Sequence, residues 1–106
     1  MKQMTNAILP VRFTGVNLDE VLRIRFKFTQ SGKSLLFDYP SERAERLDTG
    51  TIGLHWTVEE TAMFNAASGV AYDTMVYLGE SGQVIETEPG SFKMTPTLFK
   101  KEEVET

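Results

Sequence analysis

The sequence predicts an all-β fold: an antiparallel, immunoglobulin-like β-sandwich of six or seven strands with one short helix. Three observations carry that expectation. Between residues 21 and 29, Leu22, Ile24, Phe26 and Phe28 alternate with Arg23, Arg25 and Lys27. A strand turns successive side chains to opposite faces, whereas a helix would scatter both sets around its circumference. Shorter stretches of similar alternation recur along the chain, separated by glycine, proline and polar turns. Only at Thr57 does the pattern change to that of a helix start.

Taken in order, residues 8–14 form a first strand with Leu9, Val11 and Phe13 inward and Arg12 outward. Pro10 has no N–H to give to a ladder, which puts this strand at a sheet edge. Residues 15–20 turn the chain into the long alternating strand, whose inward row is Leu22, Ile24, Phe26 and Phe28. Gln30-Ser31-Gly32-Lys33 closes a hairpin, Gly32 being able to take a positive φ, and residues 34–39 return as a third strand. Residues 40–50 read as a charged, mobile connection with one loose helical turn around Ser41-Glu42-Arg43-Ala44-Glu45-Arg46. Residues 51–57 are the fourth strand, with Ile52, Leu54 and Trp56 inward and Gly53 and His55 outward.

Thr57-Val58-Glu59-Glu60 is a capping box, in which the Thr57 hydroxyl accepts from the Glu60 amide and the Glu60 carboxylate reaches back. It predicts a helix over residues 58–67 ending at Gly69 as the C′ residue, with Met63 and Phe64 plugging one end of the core. Residues 70–78 follow as a strand that is apolar on both faces, hence central or covered. Val70, Tyr72, Val76 and Leu78 lie on one side, and Ala71, Met75 and Tyr77 on the other. Residues 80–83 turn into a strand over 84–87, Glu88-Pro89-Gly90 breaks it, and residues 91–99 are the last strand, placed at an edge by Pro96. Residues 1–99 make one domain and residues 100–106 a charged, frayed tail.

The totals set bounds on function. A chain of 106 residues with 41% hydrophobic and 25% charged residues is ordinary for one globular domain. Cysteine is absent, which removes disulfides, thiolate catalysis and every zinc pattern that uses cysteine. That composition fits a reducing cytoplasm. The first ten residues hold one cation and no apolar core of signal-peptide length, and no apolar run approaches a membrane span, so neither leader nor membrane partner is expected. The net charge of -4 is uneven. Residues 1–37 carry six cations against two acids, and residues 38–106 carry five against thirteen. Such polarity could guide docking or head-to-tail association, or simply reflect neighbours of opposite sign in the folded sheets.

His55 is the only histidine, so any Ser-His-Asp site would run through it. It sits in mid-strand with no nucleophile motif beside it and reads as a surface histidine next to Trp56. One histidine without cysteine gives no zinc site, no acidic loop has calcium-ligand spacing, and no glycine-rich loop opens a helix. No metal or cofactor is therefore expected. Glu59 and Glu60 diverge by about 100° on a helix, so cap and dipole explain them better than a glycosidase pair. Arg12, Arg23, Arg25 and Lys27 are outward cations on neighbouring strands. Nucleic-acid binding usually adds exposed stacking aromatics, but here the aromatic residues of the long strand point inward and the chain is acidic. These four residues are expected to form a protein-docking face, with no specific nucleic-acid partner. Trp56, Tyr72 and Tyr77 offer a sugar-stacking platform as the alternative, although an inward Trp is usually core.

Three segments together carry a resemblance. They are residues 21–33, ending their strand in Phe28-Thr29-Gln30; residues 51–64, with Trp56-Thr57-Val58-Glu59-Glu60-Thr61-Ala62-Met63-Phe64; and residues 69–88, with Gly82 and Thr87. A strand, then T-x-E-E-T-x-x-F, then a strand, a glycine hairpin and V-I-x-T resembles small uncharacterised proteins of tailed phages and prophages of Gram-positive bacteria. A looser similarity runs to the immunoglobulin-like N-terminal domain of phage baseplate upper proteins. In those relatives the middle motif more often reads L-T-Q-E-E-T, and a Gln marks the strand after the helix. His55-Trp56-Thr57-Val58 and Asp73-Thr74 depart from that pattern here. The resemblance implies a non-enzymatic structural or assembly protein of a tail or baseplate, made in the host bacterial cytoplasm and with a place in the virion left open. Its partners would be other phage structural proteins or further copies of itself. A carbohydrate-binding or host-adhesion module is the alternative. The matching motifs are a cap, a hairpin and core positions, so the resemblance brings no catalytic residues.

Overall fold

The alternation read between residues 21 and 29 becomes β2, Val21–Gln30, the strand around which the larger of two sheets is built. It pairs antiparallel with β3, Lys33–Tyr39, on one side and with β6, Val70–Leu78, on the other. The structure is a computed structural model that describes residues 1–79, 84–86, 90–94 and 96. The other edge of β6 carries β7, Val84–Glu86, opposite residues 75–77, and β8, Gly90–Phe92, opposite residues 70–72. These two segments occupy successive lengths of one edge. The smaller sheet has the order β1-β5-β4, from β1, Ala7–Arg12, β5, Thr51–Trp56, and β4, Ala44–Arg46.

All pairings among the named strands are antiparallel. In immunoglobulin lettering the sheets read B-E-D and C′-C-F-G, with β1 in the place of strand B. The protein is thus an antiparallel β-sandwich with one short α-helix, as its alternation and turn spacing predict.

The core lies between the sheets. Ile24, Phe26 and Phe28 of β2 meet Ile52, Leu54 and Trp56 of β5, with Val70 and Val76 of β6 beside them, and all are buried. Phe28 is the aromatic hub, with ring centroids 4.9 Å from Trp56, 5.8 Å from Phe37, 5.9 Å from Tyr72 and 6.1 Å from Phe92. Its contacts with Phe37, Trp56 and Phe92 are edge-to-face, a geometry worth about 0.5–1.5 kcal/mol per pair beyond the buried area.

The hairpin between β2 and β3 has Ser31 at φ 49 and Gly32 at φ 81. Two successive positive φ values make the tight turn whose twist suits a two-residue hairpin. The capping box forms: Thr57 Oγ1 accepts from the Glu60 amide (3.2 Å), and Glu60 Oε1 accepts from the Thr57 amide (2.9 Å).

Several local expectations are corrected. The helix, α1, is Val58–Met63 and stops before residue 67, so Gly69 is not its C′ residue. The chain beyond it is captured by Gln30, only 5% exposed, whose position continues the inward row of Ile24, Phe26 and Phe28. Gln30 Nε2 donates to the carbonyls of Asn65 (3.0 Å) and Ser68 (2.9 Å), and the Asn65 amide donates to Gln30 Oε1 (2.8 Å). Thr61, fully buried, ties α1 to the N-terminal segment by donating to the Thr5 carbonyl (2.7 Å) and accepting from the Thr5 amide (2.9 Å).

Residues 40–50 contain β4 instead of a helical turn. Ala44 is buried, and the Leu47 amide donates to the Thr51 carbonyl (2.9 Å), so ladder bonds to β5 outweigh local helix propensity. Leu22 is not inward. It is 67% exposed because the register with β6 shifts between Val21 and Arg23, and the extra residue of that bulge leaves the alternation. The last strand is present as Gly90–Phe92. Lys93, Met94 and Pro96 lie beyond its end, so the strand is shorter than expected and Pro96 is not part of it. Residues 95 and 97–99 of the expected span, the turn at 80–83, residues 87–89 and the tail at 100–106 lie outside the described residues.

Candidate docking surface

With the apolar side of β2 committed to the core, its other side faces solvent as a row of Arg23, Arg25, Lys27 and Thr29. Cross-strand neighbours complete the surface. Lys27 lies between Leu36 of β3 and Asp73 of β6, and Arg25 lies between Asp38 and Met75. Arg23 stands opposite Tyr77, with its guanidinium carbon 5.9 Å from the ring centroid.

Two of these cations share one carboxylate. Asp38 Oδ1 accepts from Arg23 Nη2 (3.1 Å) and Nε (3.3 Å), and Arg25 Nε lies 3.5 Å from the same oxygen. All three groups are partly solvated, so the pairing fixes orientation more than it stabilises. Lys27 makes no ion pair with a described residue. Between these side chains lies a hollow of about 250 Å³ bordered by Arg25, Lys27, Leu36, Asp73 and Met75. Leu36 is 53% exposed. A half-exposed leucine and a methionine flanked by oriented cations can accept a partner's apolar side chain beside a carboxylate.

Arg12 does not belong to this face. It ends β1 in the smaller sheet, beside the 48–50 turn, where its charge helps hold the Asp48 carboxyl below the usual carboxylate range. The main causes of that lowering are the Gly50 amide, which donates to Asp48 Oδ1 (2.8 Å), and then the Thr51 side chain. Local alternation correctly turns Arg12 outward but cannot say which sheet its strand joins. The structure therefore brings together Arg23, Arg25 and Lys27, and adds Leu36, Asp38, Asp73 and Met75, which the sequence did not assign to this face, and Tyr77, which it considered only for sugar stacking.

The three rings considered for sugar stacking do not share a face. Trp56 is buried, Tyr72 packs on Phe28 and Phe92, and Tyr77 lies beside Arg23. On the smaller sheet, His55 Nε2 is 3.0 Å from Glu45 Oε2. Arg43 is held by the His55 carbonyl (3.0 Å) and Glu60, and lies over the Phe37 ring at 4.5 Å. Glu60 is thus used by both the cap and Arg43. Among the described residues, no three His, Asp or Glu side chains gather in a way that could hold a metal ion, and no helix is long and apolar enough to cross a membrane.

No protein-family model matches the chain, and no curated protein matches it.

Proposed function

We propose that this protein is a non-enzymatic assembly module of a phage tail or baseplate, acting through protein–protein contacts made by the outer face of β3, β2 and β6. The observation that carries the docking part is the arrangement on that face: Arg23 and Arg25 held by Asp38 beside an open hollow with Leu36 and Met75 at its rim. Apolar contact supplies affinity, and oriented arginines select a partner with carboxylates. The phage assignment rests on the resemblance of the T-x-E-E-T-x-x-F segment and its flanking strands.

Two measurements test the two parts. Peptides of this chain are expected in purified particles or assembly intermediates of the encoding phage, and their persistent absence by mass spectrometry refutes the virion role. Reversing Arg23, Arg25 and Lys27 together to glutamate is expected to block assembly while leaving the fold intact, since all three are exposed. Normal assembly by that variant refutes the docking face.

A further inference from the structure

A strand at a sheet edge presents unpaired N–H and C=O groups, and proteins usually guard such edges. The β1 edge is guarded. Phe13 donates its amide to Gly50, so by alternation residues 8, 10 and 12 direct their backbone groups away from β5, and Pro10 leaves a missing donor at the middle of that row. The β4 edge is only three residues long, and its Ala44 amide is already taken by the Ser41 carbonyl (3.2 Å).

The β3 edge differs. It runs for seven residues with no proline inside it. In a two-residue hairpin the closing pair, Gln30 and Lys33, is hydrogen-bonded, so Lys33, Leu35, Phe37 and Tyr39 turn their backbone groups to β2. Ser34, Leu36 and Asp38 turn theirs outward. Of these, only the Asp38 carbonyl has a described partner, Ser41 Oγ at 2.6 Å, and a carbonyl can accept a second bond.

We propose that two copies of this chain pair antiparallel along β3, joining their larger sheets into one, with Leu36 facing Leu36 of the second copy across a two-fold axis. The sequence of the edge is self-complementary in that register. Ser34 faces Asp38, Leu35 faces Phe37 and Lys33 faces Tyr39 of the second copy, so no like charges are opposed. The outward groups of Ser34, Leu36 and Asp38 then form roughly six backbone hydrogen bonds. The two half-exposed Leu36 side chains, each 53% accessible in the single chain, cover one another. Shifting the axis to Phe37 would set Leu36 against Asp38, and shifting it to Leu35 would set Asp38 beyond the strand end, opposite Gly32. This contact shares Leu36 with the docking face but is made by the backbone of the strand edge, so reversing Arg23, Arg25 and Lys27 probes the docking face and the cross-linking pattern probes the edge.

The test is mass by light scattering after size exclusion over a range of concentrations, combined with cysteine cross-linking. The native chain has no cysteine, so introduced ones report without background. The expected mass rises toward twice 11.9 kDa with concentration. Leu36→Lys, an exposed substitution that leaves the unfolding transition in place, sets like charges across the axis and should weaken association at least about tenfold. Leu36→Cys should cross-link under mild oxidation, because its Cα atoms would lie about 5.5 Å apart, within disulfide range. Ser34→Cys should not, because its copies would sit about 14 Å apart along the strands. A chain that stays monomeric at every concentration, or Ser34→Cys cross-linking as fast as Leu36→Cys, overturns the proposal.

Discussion

Replacing Gln30 gives the sharpest test of how this sandwich is closed. Its side chain makes three hydrogen bonds of 2.8–3.0 Å to the segment after α1, two as donor and one as acceptor. A net value of about 0.5–1.5 kcal/mol per bond gives roughly 1.5–4.5 kcal/mol for the set. Asn65 and Ser68 are exposed enough for water to satisfy part of what Gln30→Ala leaves open, so the expected loss is about 2–3 kcal/mol. Gln30→Glu keeps the shape and tests the donor geometry. A carboxylate can still accept the Asn65 amide, but it faces the carbonyls of Asn65 and Ser68 with lone pairs instead of N–H groups. At neutral pH it should cost more than alanine.

Those carbonyls and the burial would raise the folded-state pKa of the introduced carboxyl above its unfolded value. Stability is then present below the unfolded pKa and lost as pH rises through the folded one, the reverse of an ordinary ion-paired carboxylate. Trp56, the single tryptophan and buried in the core, reports unfolding by fluorescence during denaturant titration. A Gln30→Glu protein as stable at neutral pH as the parent, or one that weakens on acidification toward the carboxylate range, would refute the clasp.

Two further outcomes follow from the same core and turns. Phe28→Ala should lose about 3–5 kcal/mol, whereas Leu22→Ala, on an equally apolar position of the same strand, should stay within about 0.5 kcal/mol; comparable losses in chemical denaturation would show that the bulge is absent. Asp48, its carboxyl lowered chiefly by the Gly50 amide, contributes stability that is present above its unfolded pKa and lost as pH falls through its lower folded value. Asp48→Asn should therefore flatten the acid side of the melting temperature profile, and an unchanged profile would count against that hydrogen bond.

The parts of this fold that the sequence discloses are those decided by neighbours a few residues away. Alternation in β2 and β5, the Ser31-Gly32 turn and the Thr57/Glu60 cap all follow from local geometry. The parts that escape it depend on distant partners. Nothing near Leu22 announces that β6 slips against it by a residue, and nothing near Ala44 announces a ladder with β5. Arg12 and Arg25 look alike as outward cations and end up on different sheets. Gln30 was legible in principle. It extends the row of Ile24, Phe26 and Phe28 by one more inward position, and a polar residue there signals a buried group in need of partners. The docking face is intermediate: its cations are evident from one strand, while Asp38, Leu36 and Met75 appear only when β3 and β6 are laid beside it.

Gly53 has one more consequence. It sits in the middle of the outer side of the smaller sheet, and a Cβ there would come within 2.9 Å of Ile8 Cγ2 and 3.0 Å of Leu47 Cδ1. With no side chain of its own, it lets Ile8 of β1 and Leu47, just after β4, approach its backbone from either side, although both stay about half exposed. Both outer sides of the sandwich therefore carry half-exposed apolar side chains, Leu36 among arginines on one and Ile8 and Leu47 over a bare stretch of backbone on the other.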